Sequence, residues 1–79
     1  MTTKAYVLIE TAVGKSAEVT RALKDLSSTE IVDAVTGPYD IIAIVAADDL
    51  ISVGETVTKE IHMIPGIART ITCLSVGSQ

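Results

Sequence analysis

The chain has no tryptophan, no phenylalanine and no asparagine, and it has one cysteine and one histidine. Aromatic residues make up 3% of it, which excludes a platform of stacked side chains for nucleic-acid bases. One cysteine excludes an internal disulfide, and one cysteine with one histidine falls short of the roughly four ligands of a structural zinc site. Basic residues number 6 against 10 acidic ones, so the net charge of −4 provides no electrostatic footprint for DNA or RNA. Neither a basic block, nor a signal peptide, nor an apolar run of bilayer length is present. Low-complexity segments and linkers are missing too. The expectation is a soluble, cytoplasmic protein with Cys73 reduced, without metal, cofactor, membrane or direct nucleic-acid partner.

What is present is aliphatic. Hydrophobic residues are 48% of the 79, nearly all Val, Ile, Leu and Ala. A single domain spanning 1–79 is expected, and a domain of this size is marginally stable alone. With disulfide and metal excluded, oligomerisation is the remaining support.

Residues Ala5 to Thr11 read as a strand, apolar on both faces. Val13-Gly14-Lys15-Ser16 breaks it, and Val19, Ala22, Leu23 and Leu26 then fall on one helical stripe, closed by Ser27-Ser28. Glu30 to Val35 alternates, with Ile31, Asp33 and Val35 on one face, and reads as a strand near a sheet edge. Thr36-Gly37-Pro38-Tyr39 is a turn leading by a hairpin into the strand Ile41 to Ala47. Asp48 and Asp49 offer an N-cap for a helix whose stripe is Leu50, Val53, Val57, Ile61 and Ile64, with Gly54 as a soft spot and Pro65-Gly66 as the stop. Ile67 to Val76 is a last, alternating strand.

The order β-α-β-β-α-β is the ferredoxin-like split-βαβ pattern, an α+β fold with a four-stranded antiparallel sheet and both helices on one face. Nothing in such a chain covers the other face. Yet Ile41 to Ala47 contains no polar residue, and Tyr6 to Ile9 is apolar on both sides. Large exposed apolar patches are rare on monomers, so a second copy packed sheet to sheet about a two-fold axis is expected.

No catalytic constellation stands out. Asp40 has no histidine or carboxylate partner evident in the sequence, Asp48-Asp49 reads as a cap rather than a metal pair, and His62 reads as a solvated residue at a helix end. Cys73 reads as a small apolar filler and Tyr6 as part of the first strand's packing layer. The turn Thr36 to Asp40 is different. Gly37 can present its backbone amide unobstructed to a carboxylate, and Asp40 can accept from an ammonium group. Together these suffice to hold the head of a free amino acid. The competing reading is a plain hairpin turn in which Asp40 bonds nearby backbone amides.

The ordered set Val35-Thr-Gly-Pro-Tyr-Asp40, an aliphatic strand, Asp49-Leu50, Ile64-Pro-Gly-Ile67 and Thr70-Ile-Thr72 resembles one family: the effector-binding and oligomerisation domain of the leucine-responsive and asparagine-responsive regulators (Lrp/AsnC), the RAM domain. The resemblance runs from about Ala5 to Val76, with Ile64 where leucine is usual. Full-length members carry an N-terminal helix-turn-helix, for which this chain has no room, so the resemblance is to the stand-alone form without a DNA-binding domain. It implies face-to-face dimers closing into rings of four or five, hence octamers or decamers, with an amino-acid effector between neighbouring dimers. One wall of that pocket is then Val35, Gly37, Pro38, Tyr39 and Asp40, and Thr70 and Thr72 add hydroxyls from the adjoining dimer.

The function this implies is an amino-acid sensor, not an enzyme, that modulates transcription of amino-acid metabolism by co-assembling with full-length regulators. The alternatives are a structural assembly module without ligand, or a small dimeric monooxygenase or isomerase. Those enzymes line an internal cavity with His, Trp, Asn or Tyr, and this chain has no Trp or Asn and its one His stands at a helix end.

Overall fold

The computed structural model describes residues 2–77. The chain runs β1 (Thr3–Thr11), α1 (Ser16–Lys24), β2 (Thr29–Ala34), β3 (Ile41–Ala47), α2 (Leu50–Glu55), a π-helical segment (Thr56–Ile61) and β4 (Ile67–Leu74). The four strands form one antiparallel sheet in the order β2-β3-β1-β4. This is the expected ferredoxin-like α+β fold. β1 and β3 are central and β2 and β4 are edges, which explains the division of the sequence. The central strands are continuous aliphatic runs, whereas the edge strands alternate with polar residues.

Strand register sorts the side chains. Ala5, Val7 and Ile9 of β1 and Ile41, Ala43 and Val45 of β3 all point to the helix side and are fully buried. Val19 and Leu23 of α1, Val53 of α2, and Val57 and Ile61 of the π segment close over them. Leu26, Val32, Ile64 and Ile67 pack partly against this core. Each large aliphatic side chain so buried contributes on the order of 1.5–3 kcal/mol relative to exposure.

The second helix differs from a single α-helical stripe. Asp49 caps it, accepting from Ser52 N at 2.8 Å. After Gly54 the winding loosens, and His62 N donates to Val57 O, five residues back, at 2.9 Å. The apolar spacing explains why. Val53, Val57 and Ile61 are four apart, and each such step overshoots one α-helical turn by roughly 40°. A wider turn removes that drift and keeps all three on the sheet. Gly54 and the β-branched Thr56, Val57 and Thr58 offer little resistance to it. Leu50 was expected in the stripe but is 58% exposed, because the four-residue line starts at Val53.

The face of the sheet away from the helices is bare. Two cross-strand rows occupy it: Ile31, Ile44, Tyr6 and Cys73, and beside it Asp33, Ile42, Leu8 and Ile71. Cys73, read from the sequence as a small apolar filler, is exposed on this face, because the odd positions of β4 oppose Tyr6 and Leu8 on this side. Tyr6 likewise stands partly exposed, with the Lys4 ammonium 5.4 Å from its ring centroid. β4 ends at Leu74, short of the expected Val76.

Candidate functional site

The predicted turn residues and Thr70 fall at one end of the sheet, with Thr72 nearer its middle. The turn between β2 and β3 is closed by Val35 N donating to Asp40 O at 2.9 Å. It is then pinned to the central strand. Asp40 N donates to Ile9 O at 2.9 Å, and Asp40 Oδ2 accepts from Thr11 N at 2.8 Å and from Thr11 Oγ1 at 3.2 Å. The carboxylate therefore bonds a backbone amide, as the plain-turn reading expects, but one 29 residues away rather than within the turn. Both bonds are taken by one oxygen, Oδ2.

Gly37 sits at the tip of this turn with φ +155°. A Cβ built on it meets nothing within 4 Å, so a small group can approach its backbone from solvent. Val35, Gly37 and Pro38 are exposed, and Tyr39 and Asp40 are half-buried.

Thr70 and Thr72 stand on β4, on the helix side of the sheet, opposite Ile9 and Val7. Ile9 also opposes Ile41, so the start of β3 and Thr70 flank β1 at the same level, two strand spacings or roughly 10 Å apart. Within one chain the structure thus brings the turn and Thr70 to the same end of the sheet, but β1 runs between them. Thr72 lies one step further from the turn.

Four residues at this end were not singled out by sequence reasoning as parts of a site. Thr11 is the partner of Asp40, and only strand pairing reveals it. His62, at the end of the π segment, brings Nε2 to 2.6 Å from Thr70 Oγ1. Arg69 Nη2 donates to Glu10 Oε2 at 2.7 Å across the β1–β4 pair. His62, Ile67, Ala68, Arg69 and Thr70 line a recess of about 330 Å³. A larger hollow of about 630 Å³ lies at the opposite end of the sheet, between Thr3, Lys4, Glu30, Ala46 and Ser75, and contains none of the predicted residues.

The loops at the site end hold one another. Ala12 N donates to Gly66 O at 2.7 Å. Gly66 has φ +101°, and a Cβ there would stand 2.9 Å from Lys15 Cβ and 3.1 Å from Val19 Cγ2. Only glycine lets the turn after the π segment sit against the start of α1. Among the described residues, no group of three or more metal-ligating side chains comes together. Among the described residues, no helix is long and apolar enough to cross a membrane.

The sequence profile described as the Lrp/AsnC ligand binding domain matches residues 4–78. No curated protein matches the chain in sequence. Among solved structures, TTHA0845 from Thermus thermophilus is 31% identical with a TM-score of 0.92, the match covering 98% of this chain and 96% of that one. Hypothetical protein PHS023 from Pyrococcus horikoshii is 31% identical with a TM-score of 0.88, covering 99% and 93%. The feast or famine regulatory protein from M. tuberculosis, complexed with L-methionine, shares the fold at 17% identity and a TM-score of 0.80, covering 96% of this chain and 51% of that one.

Proposed function

The chain belongs to the family of Lrp/AsnC ligand-binding domains, and on that premise we propose that it binds a free amino acid at the junction between dimers and couples that binding to assembly. The observation that carries the reading is the turn Val35 to Asp40. Its glycine is exposed, with open space where a side chain would stand, and its carboxylate is fixed in place through one oxygen. The Gly37 amide serves the effector's carboxylate, and Asp40 Oδ1 serves its ammonium. Val35, Pro38 and Tyr39 form the remainder of that wall, and Thr70 and Thr72 of a neighbouring dimer face it. The M. tuberculosis protein of this fold, solved with L-methionine, supports an amino acid as the ligand class.

The uncovered sheet face supports the assembly half of the proposal. Tyr6, Leu8, Ile31, Ile42, Ile44 and Ile71 form a continuous apolar surface on it. Burying a few hundred Å² of such surface per subunit stabilises a dimer by several kcal/mol, at roughly 25 cal/mol per Å². Dimers then close into octamers or decamers, and the protein acts in the cytoplasm by co-assembling with full-length regulators. Ligand and assembly share an interface, so each changes the affinity for the other by the same factor.

A second reading has its own support. The Asp40 carboxylate is already engaged by Thr11, which suits a purely structural assembly module. Thermal unfolding against a panel of free amino acids, with mass measured by light scattering on the same samples, separates the two. A ligand at about 100 times its dissociation constant adds roughly 2.7 kcal/mol. In a domain of this size each kcal/mol raises the midpoint by about 4–8 °C. A shift for one or two amino acids together with a change in mass supports the sensor. A flat panel at constant mass leaves the assembly module.

A further inference from the structure

We propose that His62 is the positioning residue for Thr70, and that its charge state decides which side chains the recess beside them accepts. The inference rests on the amino-acid-binding reading above. Its geometry is the 2.6 Å approach of His62 Nε2 to Thr70 Oγ1 at the wall of the 330 Å³ recess.

The π turn creates this contact. Wound as a regular α-helix, the segment would turn His62 about the axis by roughly one residue's rotation, about 100°. The bond from His62 N to Val57 O shows the wider turn at this position, and it leaves the imidazole over the β4 edge. Extra residues of this kind inside helices frequently mark functional sites.

The chemistry follows from the hydrogen-bond inventory of the two groups. A neutral imidazole nitrogen either donates or accepts, so Thr70 can face a ligand as acceptor or as donor. An imidazolium only donates. It then occupies an oxygen lone pair of Thr70 and leaves the hydroxyl proton directed elsewhere, as a donor. Protonation therefore turns the recess into a site for acceptors.

Arg69 of β4 contributes to the wall of the recess, but its guanidinium is directed to Glu10 of β1, in register with Leu8 and Ile71 on the other face of the sheet, so His62 and Thr70 are the donors the recess offers. On the segment that carries His62, Lys59 is paired with Glu55 at 3.5 Å, and Glu60 is exposed. Ile67 and Ala68 supply an apolar wall. The complementary ligand is an amino acid whose side chain ends in a carboxylate or carboxamide.

Imidazoles change charge between about pH 5 and 8, where free carboxylates stay ionised. The test is binding of glutamate, glutamine and leucine, each measured by thermal shift at pH 5.5 and pH 8 in the wild type and in the His62→Gln and His62→Phe variants. His62 is exposed, and the midpoints without amino acid confirm that each variant folds. The expected result is a preference for glutamate over leucine that rises about tenfold from pH 8 to pH 5.5 in the wild type. His62→Gln, which keeps a donor and an acceptor, retains binding with a flat pH profile. His62→Phe loses most of the glutamate and glutamine response and keeps that of leucine. A wild-type preference that does not change with pH, or a pH profile unaltered in both variants, overturns the proposal while leaving the amino-acid-binding reading intact. A wild type that binds no amino acid at either pH overturns both.

Discussion

Asp40 Oδ2 takes hydrogen bonds from both donors of Thr11, the backbone N–H at 2.8 Å and the hydroxyl at 3.2 Å, so that one carboxylate ties the β2–β3 turn to the end of β1. Hydrogen bonds to charged groups contribute about 1.5–3 kcal/mol net. Asp40→Ala is expected to lower unfolding free energy in urea by about that amount, and Thr11→Val, which keeps the N–H, by about 0.5–1.5 kcal/mol. Because the two changes share a partner, the double variant should cost less than the sum. Thr11→Val also tests the site: it loosens the tie while leaving the Asp40 carboxylate, so an amino-acid response that survives it belongs to Asp40 rather than to the turn's rigidity.

Gly66 and Gly54 should respond in opposite senses to alanine. At Gly66 the positive φ of +101° and the 2.9 Å approach to Lys15 Cβ leave no room for a side chain. Gly66→Ala is expected to destabilise by about 1–3 kcal/mol, read from the urea midpoint.

At Gly54 an added Cβ meets nothing within 4 Å, and the residue is helical. Gly54→Ala should therefore stabilise by about 0.5–1 kcal/mol, measured in the same way.

Ile44 lies at the middle of the uncovered face, between Ile31 and Tyr6. Ile44→Asp places a charge where the proposed partner sheet packs. The expected outcome in light scattering is loss of the dimer mass, with a lower thermal midpoint at every protein concentration. An unchanged mass would remove this face from the assembly.

Asp49 gives a pH-dependent contribution whose sign the structure fixes. The backbone N–H of Ser52, with help from its side chain, holds the Asp49 carboxyl below its ordinary value of 3.8. A carboxyl lowered in the folded state stabilises fully above the ordinary value and loses that contribution as pH falls through the lowered one. At pH 7 Asp49→Ala should lower the thermal midpoint by a few degrees. The gap between variant and wild type should shrink as the solution is acidified below 3.8 and then close.

Much of this architecture was legible in the sequence because strands and helices leave different periods. The unbroken run Ile41 to Ala47 marked a strand apolar on both faces, the alternation of Glu30 to Val35 marked an edge, and Asp49 marked a helix start. The π winding was not legible. Four-residue spacing is compatible with an α-helix until the sheet beneath requires Val53, Val57 and Ile61 in line. The exposure of Cys73 depends on register against β1, which periodicity within β4 does not set. The turn at Gly37 was visible as a motif, but Asp40's partner Thr11 and Thr70's partner His62 are products of tertiary pairing, and no local pattern announces either.

The strand order also imposes a timetable. Within this sheet β1 leaves the ribosome before the other three strands, and one of its two neighbours is β4, the latest of the four, so Ala5 must wait for Leu74. Pairings this distant along the chain form slowly. Until β4 emerges, the aliphatic backbone of Ala5 to Ile9 keeps one unpaired edge, which invites wrong partners. Synthesis at neighbouring ribosomes on one message would set such edges side by side. Charged Lys4 and Glu10, bracketing that stretch, are what nascent chains have at hand to keep them apart.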